Sequence, residues 1–113
     1  MSCASEVAKK MGASDEEMVT VSGFAGGLGL SGNACGALSA AIWMKNLDRC
    51  RKNEKTTYRD PDSAQRLETF YAATDYQMLC SKISGKCFKS VDDHTDFIKN
   101  GGCNKLINVL AQL

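Results

Sequence analysis

The sequence predicts an all-α protein, a compact single-domain bundle of about five to six helices with a glycine-rich turn before the central helix. Three observations indicate this class. Helix-capping signals recur along the 113 residues. Apolar residues between those signals recur at helical spacing. The β-branched stretches at residues 18–24 and 55–58 lack convincing partner strands. Because a chain of this length forms one core, we expect residues 1–113 to be one domain.

Serine residues mark the starts of the first two predicted helices. Ser2 can cap a first helix that ends at Gly12. Ser14 and Glu17 form an S-x-x-E capping box, in which the two side chains satisfy backbone N–H groups reciprocally. The sequence therefore predicts a second helix that begins after Ser14 and runs towards Gly23.

A nucleotide-like motif lies in the glycine-rich turn. Residues 27–32, GLGLSG, match the pattern G-x-G-x-x-G. That fingerprint binds a pyrophosphate only between the strands of a parallel sheet. No second buried strand follows the motif, so we expect no dinucleotide site.

The central helix is predicted to begin after the glycines and to run to Arg51, with Ser31 or Asn33 as its cap. Glycines before a helix let the backbone approach other groups closely and leave amides available. We therefore expect Gly32, Asn33 and Gly36 to hold an anionic cofactor or to stabilise a thiolate.

Three further helices complete the prediction. Asp60 and Pro61 open a fourth helix, with proline at a position that helices tolerate, and Gly85 ends it. Ser90 begins a short fifth helix, and Cys103 begins the last one.

Charge and hydropathy exclude several classes of partner. Fourteen basic and thirteen acidic residues leave a net charge of +1, so we expect no nucleic-acid partner. No stretch approaches the roughly 18 apolar residues of a membrane span, and the amino terminus lacks the apolar core of a signal peptide. These observations predict a cytoplasmic protein. A homodimer is compatible with so short a helical chain.

The chain contains six cysteines without a local metal-binding spacing. There is no C-x-x-C, zinc-knuckle or ferredoxin pattern. In a reducing compartment such cysteines are free thiols, metal ligands or a redox pair. The six are Cys3, Cys35, Cys50, Cys80, Cys87 and Cys103.

Three of these cysteines lie in the first turn of a predicted helix: Cys3, Cys35 and Cys103. The free amides and the positive dipole end at that position lower the pKa of a thiol. We therefore expect these three residues to be thiolates, the form that attacks disulfides and binds metals.

The other cysteines and the only histidine carry weaker signals. Cys80 is placed near the end of the fourth helix, where a packed core thiol is expected. Cys50 and Cys87 lie in polar segments and are interpreted as incidental. His94 lies between acidic residues, which predicts a solvated face.

Three segments resemble the C_GCAxxG_C_C family, whose members carry four characteristic cysteines, one of them within a CGAxxG motif. They are GFAGGLGLSGNACGALSAAIWM, DYQMLCSKISGK and IKNGGCNKLINVLAQL, and the resemblance covers most of the chain. Ala40 stands where the motif has its last glycine. The resemblance implies that Cys35 is the motif cysteine, that Cys80 and Cys103 are the two towards the carboxyl end, and that Cys3 is the amino-terminal one.

The resemblance implies redox activity or metal binding by these four cysteines, and three hypotheses follow. The first is thiol/disulfide exchange or electron transfer with a partner protein or a small thiol, in which Cys35 is the attacking thiol. The second is an iron–sulfur or zinc centre held by the same four cysteines. The third is a structural or interaction domain whose cysteines only pack.

Overall fold

The computed structural model describes residues 1–112 and contains seven α-helices, with no strand in that range. The predicted all-α class is confirmed, with one helix more than expected. A short 3-10 helix at Ser22–Phe24 follows the second α-helix. The α-helices are α1 (Cys3–Lys10), α2 (Asp15–Thr20), α3 (Gly36–Arg51), α4 (Pro61–Ala73), α5 (Cys80–Ser84), α6 (Val91–Lys99) and α7 (Asn104–Ala111).

Four helices begin at the caps that the sequence predicts: Ser2 for α1, Ser14 for α2, Asp60 for α4 and Ser90 for α6. Each cap side chain accepts a hydrogen bond from a backbone N–H of the first turn. The Ser14 hydroxyl also donates to Oε1 of Glu17 at 3.1 Å. Local sequence therefore determines where these helices start.

The prediction of one continuous fourth helix between Pro61 and Gly85 is wrong. The chain leaves the helix after Ala73 because Asp75 and Tyr76 adopt left-handed φ values of 56° and 64°, whereas an α-helix needs φ near −63°. The following residues are extended and pair with the chain before α3. These tertiary backbone bonds replace the helical ones, and a separate helix, α5, begins at Cys80.

The core lies where α1 packs against α3 and α7, while α4 covers α7 and α3. Small residues of α1 and α3 let the two helices approach closely; among them Ala8 and Ala40 are fully buried. The largest fully buried side chains are Phe70, Leu110, Val7 and Val21. This packing brings the amino-terminal ends of distant helices together. Within residues 1–112, no helix combines the length and the apolar character needed to cross a bilayer.

Candidate functional site

Four helix starts each carry a cysteine. Cys3 is the first residue of α1 and Cys80 the first residue of α5, whereas Cys35 and Cys103 immediately precede α3 and α7. The predicted positions of Cys3, Cys35 and Cys103 at helix starts are confirmed. The prediction that Cys80 lies near a helix end is wrong because the chain breaks between α4 and α5.

An isolated antiparallel bridge between Ala34 and Leu79 holds Cys80 beside the start of α3. The backbone bonds on either side of the bridge run from the N–H of Cys35 to the carbonyl of Met78 (3.1 Å) and from the N–H of Cys80 to the carbonyl of Asn33 (2.6 Å). The segment that follows α4 is thereby fixed against the segment that precedes α3.

The thiols of Cys3, Cys35, Cys80 and Cys103, here called the cysteine cluster, are connected by electrostatic effects of one thiol on the pKa of another. Burial is the largest cause of the raised pKa of Cys35 and Cys103, and an ionised Cys3 raises both further. An ionised Cys80 likewise raises the pKa of Cys3 and of Cys103, after burial. Because such effects fade with distance, each of the four thiols lies near at least one other.

Burial determines the protonation state of the cluster. It raises the pKa of Cys35 from 9.0 to about 12 and that of Cys103 to about 11. The nearby backbone of Leu38 and Ala37 lowers the pKa of Cys35, but by less than burial raises it. The expectation of thiolates is therefore wrong, because lost hydration outweighs the helix ends. At neutral pH these thiols are protonated.

The glycine-rich turn covers the cluster with a left-handed stretch of backbone. Residues 26–30 all have φ between 62° and 76°. The backbone of Gly26 lowers the pKa of Cys3, against the larger effect of burial. A Cβ added to Gly27 would lie 2.7 Å from the Cβ of Cys80. The turn therefore contacts two members of the cluster.

The three residues predicted to bind a cofactor have structural roles in this turn. The N–H of Gly32 donates to the carbonyl of Gly26 (2.9 Å), and the N–H of Asn33 donates to that of Gly27 (3.0 Å). The sequence predicts that the amides of Gly32 and Asn33 are available to hold an anion. That prediction is wrong because both amides donate to carbonyls within the turn. A Cβ on Gly36 would overlap the Phe24 carbonyl.

The glycine motif also lacks the context of a nucleotide site. It lies between the 3-10 helix and α3, and residues 1–112 contain no strand that could form the required parallel sheet. Its glycines instead supply the left-handed φ values that side chains disfavour.

The cluster has a buried half and a partly exposed half. Cys3 and Cys35 are 5% and 6% exposed, whereas Cys80 and Cys103 are half-buried. Cys103 lines a cleft of about 290 Å³ together with Lys105. Cys103 is also held at a left-handed φ of 60°, which is strained for a residue with a side chain. External reagents can therefore reach Cys80 and Cys103 before the inner pair.

Metal-ligand geometry is not preformed. Among the described residues, no three His, Cys, Asp or Glu side chains are grouped so that they could hold a metal ion. In this structure the cluster consists of protonated thiols and is not a closed tetrahedral metal site.

His94 is a residue of this site that the sequence reasoning missed. Its ring is 3% exposed, packs edge-on against Phe88 at 4.6 Å, and accepts a hydrogen bond at Nε2 from the N–H of Cys3 at 3.4 Å. Burial lowers the pKa of His94, which favours the neutral acceptor. The prediction that His94 lies on a solvated face is wrong because the neighbouring acidic residues lie on the other side of α6. The sequence did contain a signal for burial of His94: the apolar residues Phe97 and Ile98 follow it by three and four positions and therefore share its side of the helix.

The two remaining cysteines differ in position. Cys50 is exposed near the carboxyl end of α3, about 22 Å along the helix from Cys35 at the helical rise per residue. Cys87 is also exposed, but its sulfur lies 3.6 Å from where a Cβ on Gly32 would stand. Cys50 is therefore remote from the cluster, whereas Cys87 lies beside the glycine-rich turn.

Comparison with known proteins identifies the family. No curated protein and no solved structure gave a significant match. The family model described as "Putative redox-active protein (C_GCAxxG_C_C)" matches residues 1–113, which is the whole chain. The four helix-start cysteines are those that the resemblance had selected. The chain therefore belongs to the C_GCAxxG_C_C family.

Proposed function

We propose that this chain is a thiol/disulfide redox protein in which two thiols of the cysteine cluster cycle between a dithiol and a disulfide. The observation that carries the proposal is that the four cysteines lie at four helix starts and that Cys3, Cys80 and Cys103 each raise the pKa of another member of this set. Cysteines that only pack would not need to gather at one place. A purely structural role is therefore the weaker explanation.

The chemistry suits a buried site. Burial disfavours the charged thiolate of Cys35 and Cys103, whereas a disulfide is uncharged and needs no hydration. Oxidation joins two cluster sulfurs by a covalent bond, and the S–S bond of an external disulfide breaks to give two external thiols. The electron pair moves from the cluster to the external disulfide, so that atoms and electrons balance.

Exposure suggests which thiols react first. Cys35, the predicted attacking thiol, is poorly suited to that role because it is 6% exposed and its pKa is raised to about 12. Within the cluster, we assign the first reaction to Cys80 and Cys103, which are half-buried, and an ionised Cys80 raises the pKa of Cys103. Cys3 and Cys35 then supply an inner pair. The cytoplasm, where small thiols are abundant, is the setting that we propose for this cycle.

A thiol count on the reduced protein tests this function. After exposure to oxidised glutathione, we expect two or more cluster thiols to disappear and peptide mapping to find a disulfide within one chain. The double variant Cys80→Ser/Cys103→Ser should oxidise much more slowly because the outer pair is missing. Cys50→Ser is the matched control and should behave as the unaltered chain does.

Two results would contradict the proposal. One is retention of all six thiols under oxidant. The other is iron or zinc at about one site per chain after anaerobic purification, together with thiols that resist oxidation until the metal is chelated. The second result would favour the metal centre, in which the backbone of Gly26 and Leu38, which lowers the pKa of Cys3 and Cys35, would offset thiolate charge.

A further inference from the structure

We propose that Cys87, which lies outside the cysteine cluster, is a relay thiol that passes disulfides from external partners to Cys80. This inference rests on the proposed redox function and adds the residue through which oxidising equivalents enter. Two exposed cysteines, Cys50 and Cys87, could in principle serve. Only Cys87 lies beside the cluster.

The chain geometry after α5 returns Cys87 to Cys80. Gly85 ends the helix at a left-handed φ of 76° and reverses the chain. The Ser84 hydroxyl lies within hydrogen-bond distance of two carbonyl oxygens, that of Cys80 (2.7 Å) and that of Lys86 (3.0 Å). One side chain therefore ties the residue before Cys87 to the backbone of Cys80.

The glycine-rich turn supplies a second point of contact. The N–H of Ser81 donates to the carbonyl of Gly32 at 3.2 Å. The Cys87 sulfur approaches the same glycine, 3.6 Å from the position of an added Cβ, while Ser81 Cβ would be 3.2 Å away. Gly32 is thus a common neighbour of the two segments that carry the proposed exchange pair.

The ionisation of Cys80 is consistent with this placement. Burial is the main cause of its raised pKa, the Ser84 hydroxyl lowers that pKa, and a charge on Cys87 raises it further. Cys87 is therefore close enough for its charge to act on Cys80, as the backbone geometry indicates.

Accessibility gives the relay a direction. Cys87 is exposed, Cys80 is half-buried, and Cys3 and Cys35 are buried, so accessibility falls step by step from solvent to the cluster interior. An attacking sulfur must be reachable by its partner. Lys86 and Lys89 flank Cys87 and are exposed. Lys86 is paired with Asp93 at 3.1 Å.

The exchange proceeds in three balanced steps. Cys87 attacks an external disulfide, a mixed disulfide forms on Cys87, and one external thiol leaves with the proton. Cys80 then attacks the Cys87 sulfur, which forms the Cys80–Cys87 disulfide and releases the second external thiol. Cys103 finally attacks Cys80, so that the disulfide moves into the cluster and the Cys87 thiol is regenerated. Two cluster thiols are oxidised and one external disulfide is reduced.

A comparison of two single variants tests the relay. Reduced full-length protein is mixed with oxidised glutathione, and the loss of cluster thiols is followed over time by quenching and peptide mapping. We expect Cys87→Ser to slow this loss by about tenfold or more, whereas Cys50→Ser leaves it unchanged. The final extent of cluster oxidation should be equal in all three proteins, because Cys87 is regenerated.

The outcomes separate the relay from the cluster function. Equal rates for Cys87→Ser and the unaltered chain would overturn the relay and leave the proposed function intact. A cluster that does not oxidise even in the unaltered chain would overturn both. As a second measurement, Cys80→Ser should accumulate glutathione on Cys87 because the next step is blocked. A Cys87 thiol that stays unmodified in that variant would also overturn the relay.

Discussion

Gly36→Ala is expected to lower the free energy of unfolding by about 3 kcal/mol or more, the range of severe backbone clashes. The added methyl group would overlap the carbonyl of Phe24 and lie 2.9 Å from the Cα of Ala25. These are backbone atoms, which cannot rotate away as a flexible side chain can. Because Gly36 opens α3 directly after Cys35, the displacement would also shift the cluster.

Gly23→Ala is the matched control for this prediction. An added Cβ on Gly23 meets nothing within 4 Å, and Gly23 has no left-handed φ. Urea unfolding of the two reduced variants should therefore give nearly unaltered stability for Gly23→Ala and a large loss for Gly36→Ala. Similar midpoints for the two variants would show that the chain before α3 can move at little cost.

The reduced protein is expected to lose stability as pH rises from 8 to 10. Cys35 has a pKa of about 12 in the folded chain, against an ordinary value of 9.0. Below pH 9 both states keep the proton, whereas between pH 9 and 12 the unfolded chain loses it first. By linkage this costs on the order of 1 kcal/mol at pH 10 for Cys35 alone. Cys103, with a pKa of about 11, acts in the same direction.

The Cys35→Ala variant provides the control, because it lacks the thiol whose pKa is raised most. Denaturant unfolding at pH 8, 9 and 10, on the reduced unaltered chain and the reduced variant, should show a loss of stability with pH that is larger in the unaltered chain. A reduced protein whose stability is flat across this range would mean that its cluster thiols ionise freely in the folded state.

Much of the fold could be predicted because its signals are local. Ser2, Ser14, Asp60 and Ser90 each cap a helix through bonds to residues two or three positions away. The break after Ala73 could not be predicted in this way. It depends on backbone bonds between residues 33–35 and 78–80, which are more than forty positions apart, and local periodicity continues across it.

For the candidate site too, local features could be predicted from the sequence, whereas features that depend on tertiary packing could not. The position of Cys3 at a helix start followed from the Ser2 cap, and the family resemblance selected all four cysteines. The predicted cap of the central helix, Ser31 or Asn33, is wrong because α3 begins after Cys35. The protonation state could not be predicted, because a thiol's hydration depends on how α1, α3 and α7 pack. Cys87 was missed for a related reason, since its approach to Gly32 follows from the chain reversal at Gly85.

The protonated, water-poor environment of Cys35 and Cys103 has a consequence for energetics. Each electron that leaves such thiols must be accompanied by a hydrogen ion, so that the cluster effectively donates hydrogen atoms. Its reduction potential is therefore tied to the acidity of the surroundings. An acidic medium favours its reduced form, and an alkaline one makes it a stronger reductant.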